Sequence, residues 1–81
     1  MKLEIKSKID CNDLLYIYIN NLIIRKVQVD WSQPVFGVFK IKIRGVEEEV
    51  NWELRRVKSK LVLFLLPLNL FQSNKINVAE E

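Results

Sequence analysis

Nine isoleucines and nine valines stand against a single alanine, Ala79, and this bias constrains the fold more than any other feature of the chain. A branched Cβ stiffens χ1 and suits a pleated surface, whereas alanine is the best helix former. Strands are therefore expected. The chain has 81 residues, 49% of them apolar and 28% charged. That composition predicts one compact domain over residues 1–81 that folds rather than stays disordered.

The alternation along the chain supports strands segment by segment. Leu3, Ile5 and Ile9 fall in one row with Ser7, while Lys2, Glu4, Lys6 and Lys8 fall in the other. Period two with one wet face is the antiparallel pattern. Asp10-Cys11-Asn12-Asp13 reads as a turn, because Asn and Asp satisfy their own local backbone. Leu14 to Ile19 is a second strand, with Leu15, Ile17 and Ile19 on one side and Tyr16 and Tyr18 on the other. Asn20-Asn21 suits a two-residue hairpin turn, since asparagine tolerates positive φ. Leu22 to Val29 returns as a third strand whose parity breaks, and a bulge near Arg25-Lys26 would repair it. Asp30 to Pro34 is a loop or a crossover. A fourth strand runs from about Val35 to Ile43, with Phe39, Ile41 and Ile43 in one row and Val38, Lys40, Lys42 and Arg44 in the other.

Residues 46–58 fit two templates. As a helix, Val46, Val50, Leu54, Val57 and Leu61 share a face, and acids lead bases in the order that the helix dipole favours. As a strand, Val50, Trp52 and Leu54 share a row. A four-residue turn at 44–47 would then set Ile41 opposite Val50, Phe39 opposite Trp52 and Lys42 opposite Glu49. A tight turn at Val57 to Lys60 would set Leu54 opposite Leu63 and Trp52 opposite Leu65. Two successive hairpins that agree on one apolar row favour the strand. The expected fold is therefore all-β: a small antiparallel sandwich or barrel of five to seven strands. The alternative is an α+β fold with one helix at about 46–58 on an antiparallel sheet.

Leu61 to Leu66 is apolar on both sides, with Leu61, Leu63 and Leu65 facing one way and Val62, Phe64 and Leu66 the other. A strand with two dry faces lies inside a sandwich, under a helix or at a subunit contact. Pro67 is expected to end its pairing. Leu68 to Phe71 continues irregularly, Lys75 to Val78 could add a last strand, and Glu80 and Glu81 are expected to fray.

Composition also excludes chemistry. With no histidine and a single cysteine, Cys11, the chain cannot close a disulfide on itself, and histidine-based nucleophilic catalysis is excluded. A zinc site is not expected, because zinc usually takes several Cys or His ligands. Glu47-Glu48-Glu49 is a weak acidic signal, because adjacent strand residues point to opposite faces. No glycine-rich phosphate loop is present, and the carboxylates beside Cys11 disfavour its thiolate. No enzyme and no cofactor are expected. The lone cysteine fits an intracellular, reducing location. The longest apolar run, Leu61 to Phe71, is too short for a membrane-spanning helix of about 20 residues.

Two sets of residues remain as binding candidates. Tyr16, Tyr18, Trp31, Val62, Phe64 and Leu66 are candidates for a protein interface, because aromatic and apolar side chains are enriched there. Lys40, Lys42, Arg44, Arg55, Arg56, Lys58 and Lys60 are candidates for nucleic-acid contact, because lysine and arginine neutralise phosphates. Nucleic acid is a possible partner, since exposed Tyr16 and Tyr18 could stack on bases. The net charge of +3 is modest, and Glu47, Glu48, Glu49 and Glu53 lie among the bases. A solvated, self-pairing face explains those bases more simply.

The chain is short, rich in Ile, Lys, Glu and Asn, without histidine and nearly without alanine. In that compositional style it resembles the small orphan proteins of viruses that infect hyperthermophilic archaea. The resemblance implies a host-interaction, virion or genome-binding role. The residues themselves point to a non-enzymatic binding or assembly module that self-associates through apolar sheet faces, as a homodimer or with a protein partner. A nucleic-acid-binding protein is the alternative.

Overall fold

The computed structural model describes residues 3–67 and 70–81, and among these every regular element is a strand. The strands are β1 (Ile5–Ile9), β2 (Leu14–Ile19), β3 (Leu22–Gln28), β4 (Val35–Ile43), β5 (Val46–Val57), β6 (Lys60–Leu66), β7 (Lys75–Asn77) and β8 (Ala79–Glu80). They form two four-stranded sheets of order β3-β2-β1-β8 and β4-β5-β6-β7. The fold is an all-β sandwich. Residues 46–58 carry no helix, because both neighbours of β5 offer it a strand with a matching apolar row.

The hairpins follow from their turn residues. Asn20 and Asn21 have φ of 50° and 68°, Arg44 and Gly45 have 52° and 79°, and Lys58 and Ser59 have 50° and 69°. Two consecutive residues at positive φ make the two-residue turn whose twist matches that of the flanking strands. The Lys58-Ser59 turn sets Leu54 opposite Leu63 and Trp52 opposite Leu65, the register expected from sequence. At Arg44-Gly45 the turn is two residues shorter than the four expected at 44–47. Pairing begins at Ile43 and Val46, so Phe39 faces Val50, Ile41 faces Glu48 and Lys42 faces Glu47. The correction is an even number of residues, so no side chain changes face.

Three further expectations are corrected. The bulge in β3 lies one residue earlier than Arg25-Lys26: Arg25 faces Ile17 and Ile23 faces Tyr18, leaving Ile24 as the extra residue. It sets Leu22, opposite Ile19, on the same side as Val27, opposite Leu15. Among the described residues the strands number eight rather than five to seven, because the C-terminal segment divides between the sheets. β7 pairs with β6 and β8 runs parallel to β1. Between them Val78 is buried in the core and its N–H donates to the Leu61 carbonyl at 2.9 Å. For the same reason Glu80 and Glu81 do not fray: Glu80 pairs with Ile9, and the Glu81 N–H donates to the Ile9 carbonyl at 3.0 Å. Lys2 and the start of the stretch from Leu68 lie outside the described residues.

The core lies between the sheets. Ile5, Ile9, Leu15, Ile17 and Ile19 face it from the first sheet, and Phe39, Val50, Trp52, Leu54, Leu61, Leu63 and Leu65 from the second. Each fully buried side chain of this size contributes roughly 1.5–3 kcal/mol of transfer free energy. Ser7 is the polar residue in the inner row, and its hydroxyl donates to the Tyr16 carbonyl at 2.7 Å, which meets the cost of burial. Gly37 occupies the inner row of β4 directly opposite Trp52. A Cβ there would lie 2.7 Å from Cζ2 of that indole, so the glycine makes room for the ring.

The β1–β2 turn is held by Asp10. Its carboxylate accepts from the N–H groups of Asn12 at 2.9 Å and Leu14 at 3.1 Å, and from the Tyr16 hydroxyl at 3.4 Å. The Leu14 N–H, foremost, holds this carboxyl below its ordinary value of 3.8. A carboxylate depressed on folding stabilises the fold above its unfolded pKa and loses that contribution as the pH falls through the folded value. Asp10→Asn should therefore lower the urea midpoint at neutral pH. The difference from wild type should shrink as the pH falls through the lowered folded pKa of Asp10, where the wild-type carboxylate becomes protonated and loses its charge.

Candidate interaction surface

The outward row of the second sheet divides into two halves. Toward the Arg44-Gly45 turn it is charged: Lys40 sits opposite Glu49 and Lys42 opposite Glu47, and Lys40 Nζ lies 3.8 Å from Glu47 Oε1. Away from that turn it is apolar. Phe36 is 69% exposed, Val38 46% and Leu66 54%, and with Phe64 they line a shallow groove of about 400 Å3. Asn51 and Glu53 supply polar atoms at its floor and rim. The groove exists because Val38 and Leu66 flank Asn51, and Phe36 and Phe64 flank Glu53, across three neighbouring strands. The inner face of the same strands is already filled by Phe39, Val50, Leu63 and Leu65, so nothing within the chain draws these four side chains inward.

The structure separates the interface candidates. Phe64 and Leu66 belong to the groove, whereas Val62 is only 8% exposed and offers little surface. Val62 sits between Arg55 and Asn77 on the neighbouring strands, and those longer side chains can cover it. The Arg55 guanidinium lies 5.3 Å from the Phe64 ring centroid and donates to Glu53 at 2.9 Å, a bond that holds its pKa above the ordinary value. Trp31 is exposed in the crossover between the sheets, with the Arg56 guanidinium 5.7 Å from its ring centroid. Tyr16 and Tyr18 lie on the opposite side of the molecule, on the outward face of the first sheet, their ring centroids 6.4 Å apart. Lys8 and Lys26 reach over the Tyr16 ring at 5.3 and 5.8 Å. Lys8 also pairs with Glu81 at 3.6 Å, which raises its pKa.

The basic candidates do not form one patch. Lys40, Lys42 and Arg44 lie at the β4–β5 turn, while Arg55, Arg56, Lys58 and Lys60 lie at the β5–β6 turn. These turns sit at opposite ends of the twelve-residue β5, about 36 Å apart at the usual strand rise. Glu47, Glu49 and Glu53 occupy the outward row between them.

Phe36 and Val38 are the exposed apolar residues of the groove that sequence reasoning left out of the interface set. Val38 was legible in the row of Lys40 and Lys42, and Phe36 shares that parity. The signal was there: once Phe39 is assigned inward, every even-numbered residue of β4 must face out. Among the described residues no group of His, Cys, Asp or Glu side chains is placed to hold a metal ion, and no helix is long and apolar enough to cross a membrane. No protein-family model matches the chain, and comparisons with curated proteins and with solved structures each found no significant match.

Proposed function

We propose that the chain is a non-enzymatic binding or assembly module that associates with copies of itself through its second sheet, on the side where the outward apolar residues gather. The observation that carries this reading is the groove of Phe36, Val38, Phe64 and Leu66 on a sandwich whose interior is already filled. Water-exposed apolar side chains gathered on one face lower the free energy of a state in which another surface covers them. A viral accessory or structural role, which the compositional resemblance implies, is compatible with such a module, and the lone exposed Cys11 fits a reducing compartment. Nucleic-acid binding by Lys40 through Lys60 has less support, because the bases fall into two distant groups with acids between them.

Sedimentation velocity over a range of concentrations tests this reading. The wild-type chain is expected to populate a dimer at micromolar to hundred-micromolar concentration, and Phe36→Lys to shift it to monomer. Wild-type protein that stays monomeric throughout would falsify it.

A further inference from the structure

Three of the four sheet edges are blunted. β8 has two residues and β7 three, and β3 carries a bulge beside Arg25 and Lys26. Short edges, bulges and edge charges are the usual protections against strand-to-strand pairing. The fourth edge, β4, has nine residues in regular register with β5, and no described strand lies on its other side. Its first half, Val35 to Phe39, carries no charge. The two-residue turn makes Ile43 and Val46 a hydrogen-bonded pair. The N–H and C=O groups of Val35, Gly37, Phe39, Ile41 and Ile43 then point at β5, and those of Phe36, Val38, Lys40 and Lys42 point away from it.

We infer that this edge is the dimer seam: β4 pairs antiparallel with β4 of a second copy about a two-fold axis at Val38, joining two four-stranded sheets into one of eight. The inference rests on the self-association reading and names its geometry. The sequence of β4 is complementary to itself in this register. Val38 meets Val38, and Phe36 meets Lys40 of the partner subunit, whose aliphatic stem and ammonium both suit an aromatic ring. In the inner row Gly37 meets Phe39 of the partner subunit, and Val35 meets Ile41 of the partner subunit. An axis at Lys40 would instead set like charges face to face, and an axis at Phe39 would make the two Lys40 residues diagonal neighbours. The Val38 register leaves every lysine beside an apolar residue. It also places Phe36 and Val38, the exposed members of the groove nearest the edge, at the seam.

Four variants, each read by sedimentation equilibrium, separate this seam from face-to-face packing. Val38→Pro removes a donor that β5 does not use, so circular dichroism should be unchanged while the dimer Kd rises about tenfold or more. Phe36→Lys meets Lys40 of the partner subunit and weakens the dimer, whereas Phe36→Glu meets the same lysine and dimerises at least about tenfold more tightly than Phe36→Lys. Leu66→Lys, two strands from the seam, changes Kd by less than about threefold. Face-to-face packing gives the reverse: Leu66→Lys and both Phe36 variants dissociate the dimer and Val38→Pro does not. That outcome overturns the seam and leaves self-association standing, while a monomeric wild type overturns both. If Val38→Pro fails to fold, the order of the two Phe36 variants decides the question by itself.

Discussion

Phe39→Ala is expected to cost about 3–5 kcal/mol and to bring the chain close to the edge of folding at room temperature. Phe39 is 1% exposed and lies at the middle of β4, opposite Val50. Its ring is among the largest fully buried side chains, so truncation leaves a void that the two sheets can close only by moving together. The sheets are tied to each other by the β3–β4 crossover and by the segment from β7 through Val78 to β8, and the core around the ring is already filled, so the cavity penalty should be near its upper range. A domain of this size holds about 4–12 kcal/mol in total. The urea midpoint should therefore fall by a third or more, with an unchanged slope. A fall of less than a tenth would mean that the ring does not bridge the sheets.

Gly37→Ala should cost about 1–3 kcal/mol, although alanine is the mildest change available. The new Cβ would approach Cζ2, Cε2 and Nε1 of Trp52 at 2.7, 2.8 and 2.9 Å, closer than carbon atoms tolerate. The indole is a rigid ring in a filled core and cannot yield as a flexible chain end would. The same geometry predicts a specific rescue. Trp52→Phe removes the fused part of the indole that meets the new methyl, together with a buried Nε1–H that has no hydrogen-bond partner. In that background Gly37→Ala should lose most of its cost, giving a coupling of about 1 kcal/mol or more in a double-mutant cycle of urea midpoints. Additive effects would place the strain elsewhere.

Much of the fold was legible because β structure writes its faces into parity. The alternation in β1, β2 and β4 assigned inward and outward rows correctly, and the row that Trp52 shares with Val50 and Leu54 is buried. The turns at Asn20-Asn21 and Lys58-Ser59 were legible from residue type and spacing. The β4–β5 register was displaced by two residues because Arg44 does not advertise a positive φ, yet every face was kept. The two-sided apolar strand β6 was the least determinate element. Parity paired Val62 with Phe64 and Leu66, but only the neighbouring strands decided that Val62 is covered and the other two help to line a groove.

By itself the sequence determined that this chain forms antiparallel strands, which side chains of each strand share a face, and that no histidine chemistry is open to it. These follow from local sterics and a period of two, which any reader of the chain can apply. Only the tertiary structure decided which strands lie at the edges, how the last eight residues divide between two sheets, and where the apolar outward residues gather. Those outcomes depend on pairings between residues far apart in the chain. Their free energies are set by packing and loop closure together, and no short segment carries that information.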